Sequence, residues 1–89
     1  YGGDELIVCL PNTRLSDAKG VLEKTRKAVH SGPVTAGDAV ATVSISIGVS
    51  EAYPQTHMDA EIFMNELLDC ADQNLYQAKA LGKNQVFAD

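Results

Sequence analysis

The chain has 89 residues, 45% of them hydrophobic and 21% charged, and its formal net charge is −5. This composition is typical of one small globular domain, and the whole chain, 1–89, is interpreted as a single unit. The negative charge argues against nucleic acid or an anionic membrane surface as a partner, because both attract basic faces. No apolar run approaches the roughly 20 residues of a membrane span and no signal peptide is recognised, which favours a cytoplasmic protein.

The first predicted element is a glycine turn that leads into a strand. Gly2 and Gly3 adopt positive φ at no steric cost, so they suit a tight hairpin turn. Two acids, Asp4 and Glu5, come next, and the apolar run over residues 6–10 is typical of a strand buried on both faces. Acids at the mouth of a hairpin suit a hard cation such as Mg²⁺ that carries a nucleotide triphosphate. An ordinary solvated hairpin is the competing interpretation.

A helix is predicted next, with Ser16 as its candidate N-cap and Ser31-Gly32-Pro33 as its end. Gly20 within it lowers helix propensity by about 1 kcal/mol relative to Ala. The predicted inward stripe recurs in alternating steps of three and four, and consists of Leu15, Ala18, Leu22, Thr25 and Val29.

A loop over residues 34–38, with room for a short extended piece, and a strand over residues 40–50 are predicted to follow. In that strand Ser44, Ser46 and Gly48 share one face, and such small residues allow either a helix or the side chains of a partner strand to pack close. The other face is apolar and consists of Val43, Ile45, Ile47 and Val49.

The last long element is a predicted helix that ends at about Leu81. Asp59 or Thr56 is its candidate N-cap, and Gly82 is its candidate C′ residue. Its predicted inward side chains are Ile62, Leu67, Ala71, Leu75 and Ala78. A short strand over residues 85–88 closes a β-α-β-α-β order, which predicts an α/β sandwich with helices on one face of a sheet.

Cys9 falls in a predicted strand and Cys70 in a predicted helix, both among apolar neighbours. They are interpreted as reduced core residues, because a disulfide or metal pair would show closer or patterned spacing. Tyr76 is likewise assigned to the core, with its hydroxyl at the rim.

Three segments resemble the GGDEF family, the diguanylate cyclases that join two GTP molecules into cyclic di-GMP. They are GGDE at residues 2–5, TVSISIGVS at residues 42–50 and ADQNLYQAKALGKN at residues 71–84. They occur in the family's order and together cover essentially the whole chain. The resemblance implies an α+β fold built on a palm-like, ferredoxin-type sheet of the nucleotide-cyclase kind.

The resemblance also implies a role for each motif residue at the glycine turn. Gly2 and Gly3 would let the nucleotide lie against the backbone. Asp4 would bind a metal, Mg²⁺ or Mn²⁺, and take the proton from the attacking 3′-hydroxyl. Glu5 would support the metals. Leu6 stands where the family usually has Phe, a conservative change for a side chain that only packs.

Two cations at the end of the last helix would meet the GTP phosphates. Lys79 and Lys83 are four positions apart and so share one face of the final turn. Lys83 stands where Arg is commoner in the family, which keeps the charge but loses a bidentate fork. The competing interpretation is that both are solvated cations that meet the helix macrodipole.

The resemblance further implies that the first half of the domain is missing from this sequence. The upstream half carries another metal-binding Asp, the guanine contacts, a phosphate loop and a product-inhibition site. Its first strand would lie between residues 5–10 and residues 40–50, so their exposed edges predict self-association.

Three functions remain open from the sequence. The first is a cyclase domain that acts as a homodimer, with one GTP on each copy and release of pyrophosphate. The second is a non-catalytic GTP-binding or regulatory domain, of the kind often fused ahead of a cyclic di-GMP phosphodiesterase domain. The third is a different palm-fold nucleotidyltransferase, which the motif at residues 71–84 disfavours.

Overall fold

The computed structural model describes residues 3–88, which form two helices and four short strands. The helices are α1, Leu15–Ser31, and α2, Ala60–Ala80. The strands are β1, Val34–Ala36, β2, Ala39–Ala41, β3, Ile47–Val49, and β4, Val86–Ala88. This mixture of helices and strands is the α+β class that the sequence predicts. Neither described helix is long and apolar enough to cross a membrane.

The strands form two separate small sheets. β1 and β2 make an antiparallel hairpin, whereas β3 and β4 pair in parallel with Ile47 opposite Val86. Both helices contact β3 and β4, and among the described elements the hairpin contacts none of the others. The core of the described chain therefore lies where α1 and α2 meet the parallel pair.

Gly48 allows β3 to approach the backbone of α2. A Cβ atom on Gly48 would collide with the amide nitrogen of Leu75 and the carbonyl oxygen of Ala71, and would lie 2.7 Å from the Leu75 Cα atom. On the same face of the strand, the Ser50 hydroxyl donates to the Leu67 carbonyl at 2.8 Å. The predicted close packing of a helix against this small-residue face is confirmed.

The buried core is small. Among the described residues the buried apolar side chains are those of Ala18, Val49 and Ala78. Asn74 is buried beside them, and its side-chain amide donates to the Val49 carbonyl at 2.6 Å. The radius of gyration is 15.1 Å, above the ~12 Å of a compact chain of this length. The described chain is accordingly elongated.

The strand predicted over residues 6–10 is wrong. These residues form no strand, and Leu6 is 93% exposed with Ile7 and Val8 also exposed. A strand is stable only when a neighbour completes its ladder. Within residues 3–88 no strand pairs with this segment, so its apolar side chains stay at the surface. Cys9 is exposed with them, so its assignment to the core is also wrong.

The continuous strand predicted over residues 40–50 is wrong as well. Its start belongs to β2 and its end to β3, and the two lie in different sheets. The short extended piece predicted within residues 34–38 is confirmed as β1, because Gly37 (φ 60°) and Asp38 form a two-residue turn between Ala36 and Ala39. This local hairpin draws β2 away from the line of β3.

Helix α1 begins two residues earlier than predicted. Arg14, not Ser16, is the N-cap residue, and its side chain makes no capping bond. The amide of Leu15 donates instead to the Glu51 carboxylate, at 2.8 Å. Asp59 is confirmed as the N-cap of α2, because the Ile62 amide donates to its carboxylate at 3.0 Å.

The inward face predicted for α2 is correct only in part. Ala78 is fully buried, and Leu67, Ala71 and Leu75 are half-buried. Ile62 is 58% exposed and Tyr76 71% exposed, and Cys70 is exposed too. Those three assignments are wrong, because in the described chain the layer against α2 is only the narrow β3–β4 pair.

Candidate active site

The acid pair lies at the start of the described chain. Gly3 and Asp4 form a turn, the Asp4 side chain is exposed and the Glu5 side chain is half-buried. A Cβ atom built on Gly3 would meet nothing within 4 Å, so the backbone there is open to an approaching ligand. Gly2, the first of the predicted glycines, lies outside the described residues.

The two predicted cations both fall near the C-terminal end of α2, but they do not share one helical turn as predicted, because α2 ends at Ala80 and Lys83 has φ 63°. Lys79 is in the last turn and Lys83 just beyond it, and both are exposed. The Gly82 amide donates to the Lys79 carbonyl at 3.3 Å, and the Lys83 amide donates to the Ala78 carbonyl at 3.0 Å. These bonds complete the helix end in the manner expected of a C′ glycine, since Gly82 has φ 123°.

Three consecutive residues after α2 have positive φ. They are Gly82 (123°), Lys83 (63°) and Asn84 (49°). The left-handed conformation costs roughly 1–2 kcal/mol for a residue with a side chain, and Asn tolerates it better than Lys. Surrounding contacts must therefore hold this segment, called here the αL turn (residues 82–84).

Those contacts come from α1 and from the segment before β3. The Asn84 amide donates to the Ser46 hydroxyl at 3.1 Å. The Arg26 guanidinium donates from Nη1 to the Asn84 side-chain oxygen at 2.8 Å and to the Asn84 carbonyl at 3.3 Å. The αL turn is thus tied to both of its neighbours. Sequence reasoning missed Arg26, whose partner lies far away along the chain.

Arg26 also pairs with Glu23 on the same helix. Its Nε donates to the Glu23 carboxylate at 2.9 Å, and Nη2 pairs with the other carboxylate oxygen. This hydrogen bond, and then the attraction between the two charges, lowers the pKa of Glu23 and raises the pKa of Arg26. Because the pKa of Glu23 is lowered, the pair stabilises the fold at neutral pH and loses that contribution as the pH falls through the lowered pKa.

In the described chain, Asp4 is not directly bonded to either predicted cation. Among the described residues, no hydrogen bond or ion pair joins Asp4 to Lys79 or Lys83. Within residues 3–88, no three His, Cys, Asp or Glu side chains gather as a metal site. The geometry of the described chain therefore links Asp4 neither to the predicted cations nor to a ready-made metal cluster.

The donor chemistry of the acid pair still fits a divalent hard cation. Mg²⁺ prefers oxygen ligands, keeps several waters, and is commonly held by one or two carboxylates together with substrate phosphates. The exposed Asp4 and the adjacent Glu5 supply two such carboxylates. They could hold a metal only with oxygens from a substrate or another segment.

A separate shallow hollow of about 210 Å³ lies between α2 and the segment before it, and includes none of the predicted site residues. Glu51, which caps α1, lies in its wall beside Tyr53. The negative charge of Glu51, and then a hydrogen bond to it, raises the pKa of Tyr53. Glu51 therefore has a structural role, as the acceptor for the first amide of α1. Sequence reasoning missed it because that amide, on Leu15, lies 36 positions away.

Comparison with known proteins gives one consistent result. Residues 1–85 match the family described as "Diguanylate cyclase, GGDEF domain". The chain is 40% identical over 88 residues to the response regulator PleD of Caulobacter vibrioides, covering 97% of this chain and 18% of the relative. It is 38% identical over 86 residues to diguanylate cyclase A of Treponema denticola, covering 97% of this chain and 22% of that relative. It is 31% identical over 88 residues to diguanylate cyclase DgcM of Escherichia coli, covering 99% of this chain and 19% of that relative. The chain thus spans about a fifth of the length of these curated relatives.

Proposed function

Because this chain belongs to the GGDEF family of diguanylate cyclase domains, we propose that it is the C-terminal half of a domain that condenses two GTP into cyclic di-GMP. The observation that carries the proposal is that the acids and the cations of the family's motifs are both kept. Asp4 and Glu5 follow an open glycine turn, and Lys79 and Lys83 are exposed at one helix end. Relatives named diguanylate cyclases support the same activity.

The proposed reaction forms two phosphodiester bonds. In each, the 3′-hydroxyl of one GTP attacks the α-phosphorus of the other, the hydroxyl proton is taken up, and pyrophosphate leaves. Asp4 is the proposed acceptor of that proton, because an exposed carboxylate at a turn can reach a bound ligand. Glu5 is the proposed second carboxylate ligand of the metal that Asp4 would bind. The metal, when bound, would offset triphosphate charge and acidify the attacking hydroxyl.

The helix-end cations act on the phosphates. Lys79 and Lys83 would offset charge on the bound triphosphate and on the departing pyrophosphate. Their exposure leaves both ammonium groups able to turn toward a ligand. Opposing this role, the macrodipole of α2 alone accounts for cations at this position, so the kinetics of lysine variants must decide.

A complete site requires more than these residues. Two copies, each holding one GTP, would face each other as a homodimer, because every bond joins two nucleotides. The guanine contacts and a further metal ligand would come from a segment before residue 1. GTP as substrate implies a cytoplasmic reaction.

The test uses the full-length protein with GTP and Mg²⁺. Asp4→Asn should abolish cyclic di-GMP synthesis and leave the melting temperature unchanged, since an exposed turn carboxylate contributes little packing. Asp38→Asn, at the exposed β1–β2 turn, is the matched control and should keep full activity. Near-normal synthesis by Asp4→Asn would refute the catalytic role of Asp4. A parent protein that binds GTP without making product would be the regulatory domain instead.

A further inference from the structure

Arg26 on α1 connects its own helix to the αL turn, and the αL turn is also bonded to Ser46. We propose that Arg26 is a positioning residue: acting through Asn84, it holds the αL turn in the conformation that presents Lys83 to the phosphates of GTP. The inference rests on the proposed function of Lys83.

Every side of the Arg26 guanidinium is engaged. Nη1 donates twice to Asn84, and Nε and Nη2 face Glu23. The Arg26 side chain is only 13% exposed. A planar fork with donors on both edges can bridge a carboxylate and an amide oxygen at once, and a lysine cannot reproduce that geometry. An arginine that served only the helix surface would need Glu23 alone.

Asn84 couples the Arg26 side chain to the backbone of the αL turn. Its amide, its carbonyl and its side-chain oxygen are all hydrogen-bonded, the first to Ser46 and the other two to Arg26. Lys83 directly precedes it and shares the left-handed conformation. Such a conformation persists only where its surroundings impose it. Loss of the Arg26 bonds would let residues 83 and 84 return to negative φ, and the Lys83 side chain would then lose its fixed direction.

Hydrogen–deuterium exchange on the full-length protein tests the hold directly. Arg26→Met keeps the aliphatic stem but removes every donor, and Lys24→Met makes the same charge change at an exposed position on α1. In Arg26→Met, the amides of residues 82–84 should exchange about tenfold faster, because the bonds that protect them open more often. Lys24→Met should match the parent. Unchanged exchange in Arg26→Met would overturn the inference. Arg26→Lys gives the same test if Arg26→Met accumulates poorly.

Steady-state kinetics test the action through Lys83. Arg26→Met should raise the KM for GTP about fivefold, with a smaller effect on kcat, because bound phosphate loses a positioned cation. In a Lys83→Ala background the same substitution should add nothing further. If Arg26→Met caused a general structural defect, its increase in the KM for GTP would multiply the increase caused by Lys83→Ala. That result would overturn the positioning role.

The outcomes separate this inference from the proposed function. An unchanged KM for GTP in Lys83→Ala would overturn the presentation of Lys83. The cyclase proposal would still stand if Asp4→Asn were inactive and the parent active. A parent without synthesis would refute the cyclase proposal, and the exchange experiment would still decide whether Arg26 holds the αL turn.

Discussion

Two glycines in this chain have opposite structural meanings. At Gly20, in the middle of α1, an added Cβ meets nothing within 4 Å. At Gly48, in β3, the same atom would strike the backbone of α2 at Leu75 and Ala71. A backbone obstacle cannot rotate away as a side chain can. Gly48 is therefore required by packing, whereas Gly20 only weakens its helix.

Replacing these glycines should shift the free energy of unfolding in opposite directions. Gly48→Ala should destabilise the domain by about 3 kcal/mol, because α2 must move off β3. Gly20→Ala should stabilise it by up to about 1 kcal/mol through helix propensity. Urea unfolding of the two variants and the parent checks both values. A neutral Gly48→Ala would show that α2 does not pack on β3 as closely as described.

Sequence reasoning identified Gly48 and Ser46 as a face for close packing, but missed the polar side chains that fasten the packed elements. Asn74 bonds a strand 25 positions away and Arg26 a turn 58 positions away. Periodicity reports which face of an element is apolar, not which distant atom a polar side chain meets. These bonds were accessible only from the three-dimensional arrangement.

At the scale of elements, local signals predicted the ends of α2 well. Asp59 caps its start and Gly82 follows its end, and both act within a few residues. The start of α1 was misplaced because its first amide is bonded by the distant Glu51. The strands were the least predictable elements, since a strand depends on its partner and residues 6–10 have none among the described strands.

The end of α2 carries the kinetic prediction for the cations. Lys79→Ala should raise the KM for GTP and lower kcat, because triphosphate charge is offset both on binding and as pyrophosphate leaves. Lys83→Arg should be neutral or mildly activating, since it keeps the charge and adds a fork. GTP turnover by the full-length variants is the measurement. Kinetics of Lys79→Ala equal to those of the parent would favour the solvated-cation interpretation.

At the scale of the whole molecule, the described chain leaves much apolar surface open. Only three apolar side chains are buried among the described residues, and none of the large ones fully. Leu6, Ile7 and Val8 lie exposed in one extended segment. Sequence reasoning predicted each half of the site. The joint site stays a prediction, because within residues 3–88 Asp4 makes no hydrogen bond or ion pair with Lys79 or Lys83.

The 89-residue chain expressed alone should self-associate and show no cyclase activity. Exposed apolar residues 6–8 and the free edges of β3–β4 favour pairing between copies. Two carboxylates without further ligands hold Mg²⁺ weakly. Size-exclusion chromatography and a GTP turnover assay check both expectations. An active, well-behaved monomer would show that no upstream segment is needed.

The parallel pairing of β3 with β4 has a consequence for how the molecule assembles. The whole of α2 lies between the two strands in the chain, so their pairing must close a loop that contains the helix. Helices and short hairpins form within microseconds, but closing such a crossover costs loop entropy before any strand bond is gained. The passage of α2 across Gly48 is therefore the expected slow step of folding. A newly made chain would form its helices and its β1–β2 hairpin first, and β4 would pair with β3 last.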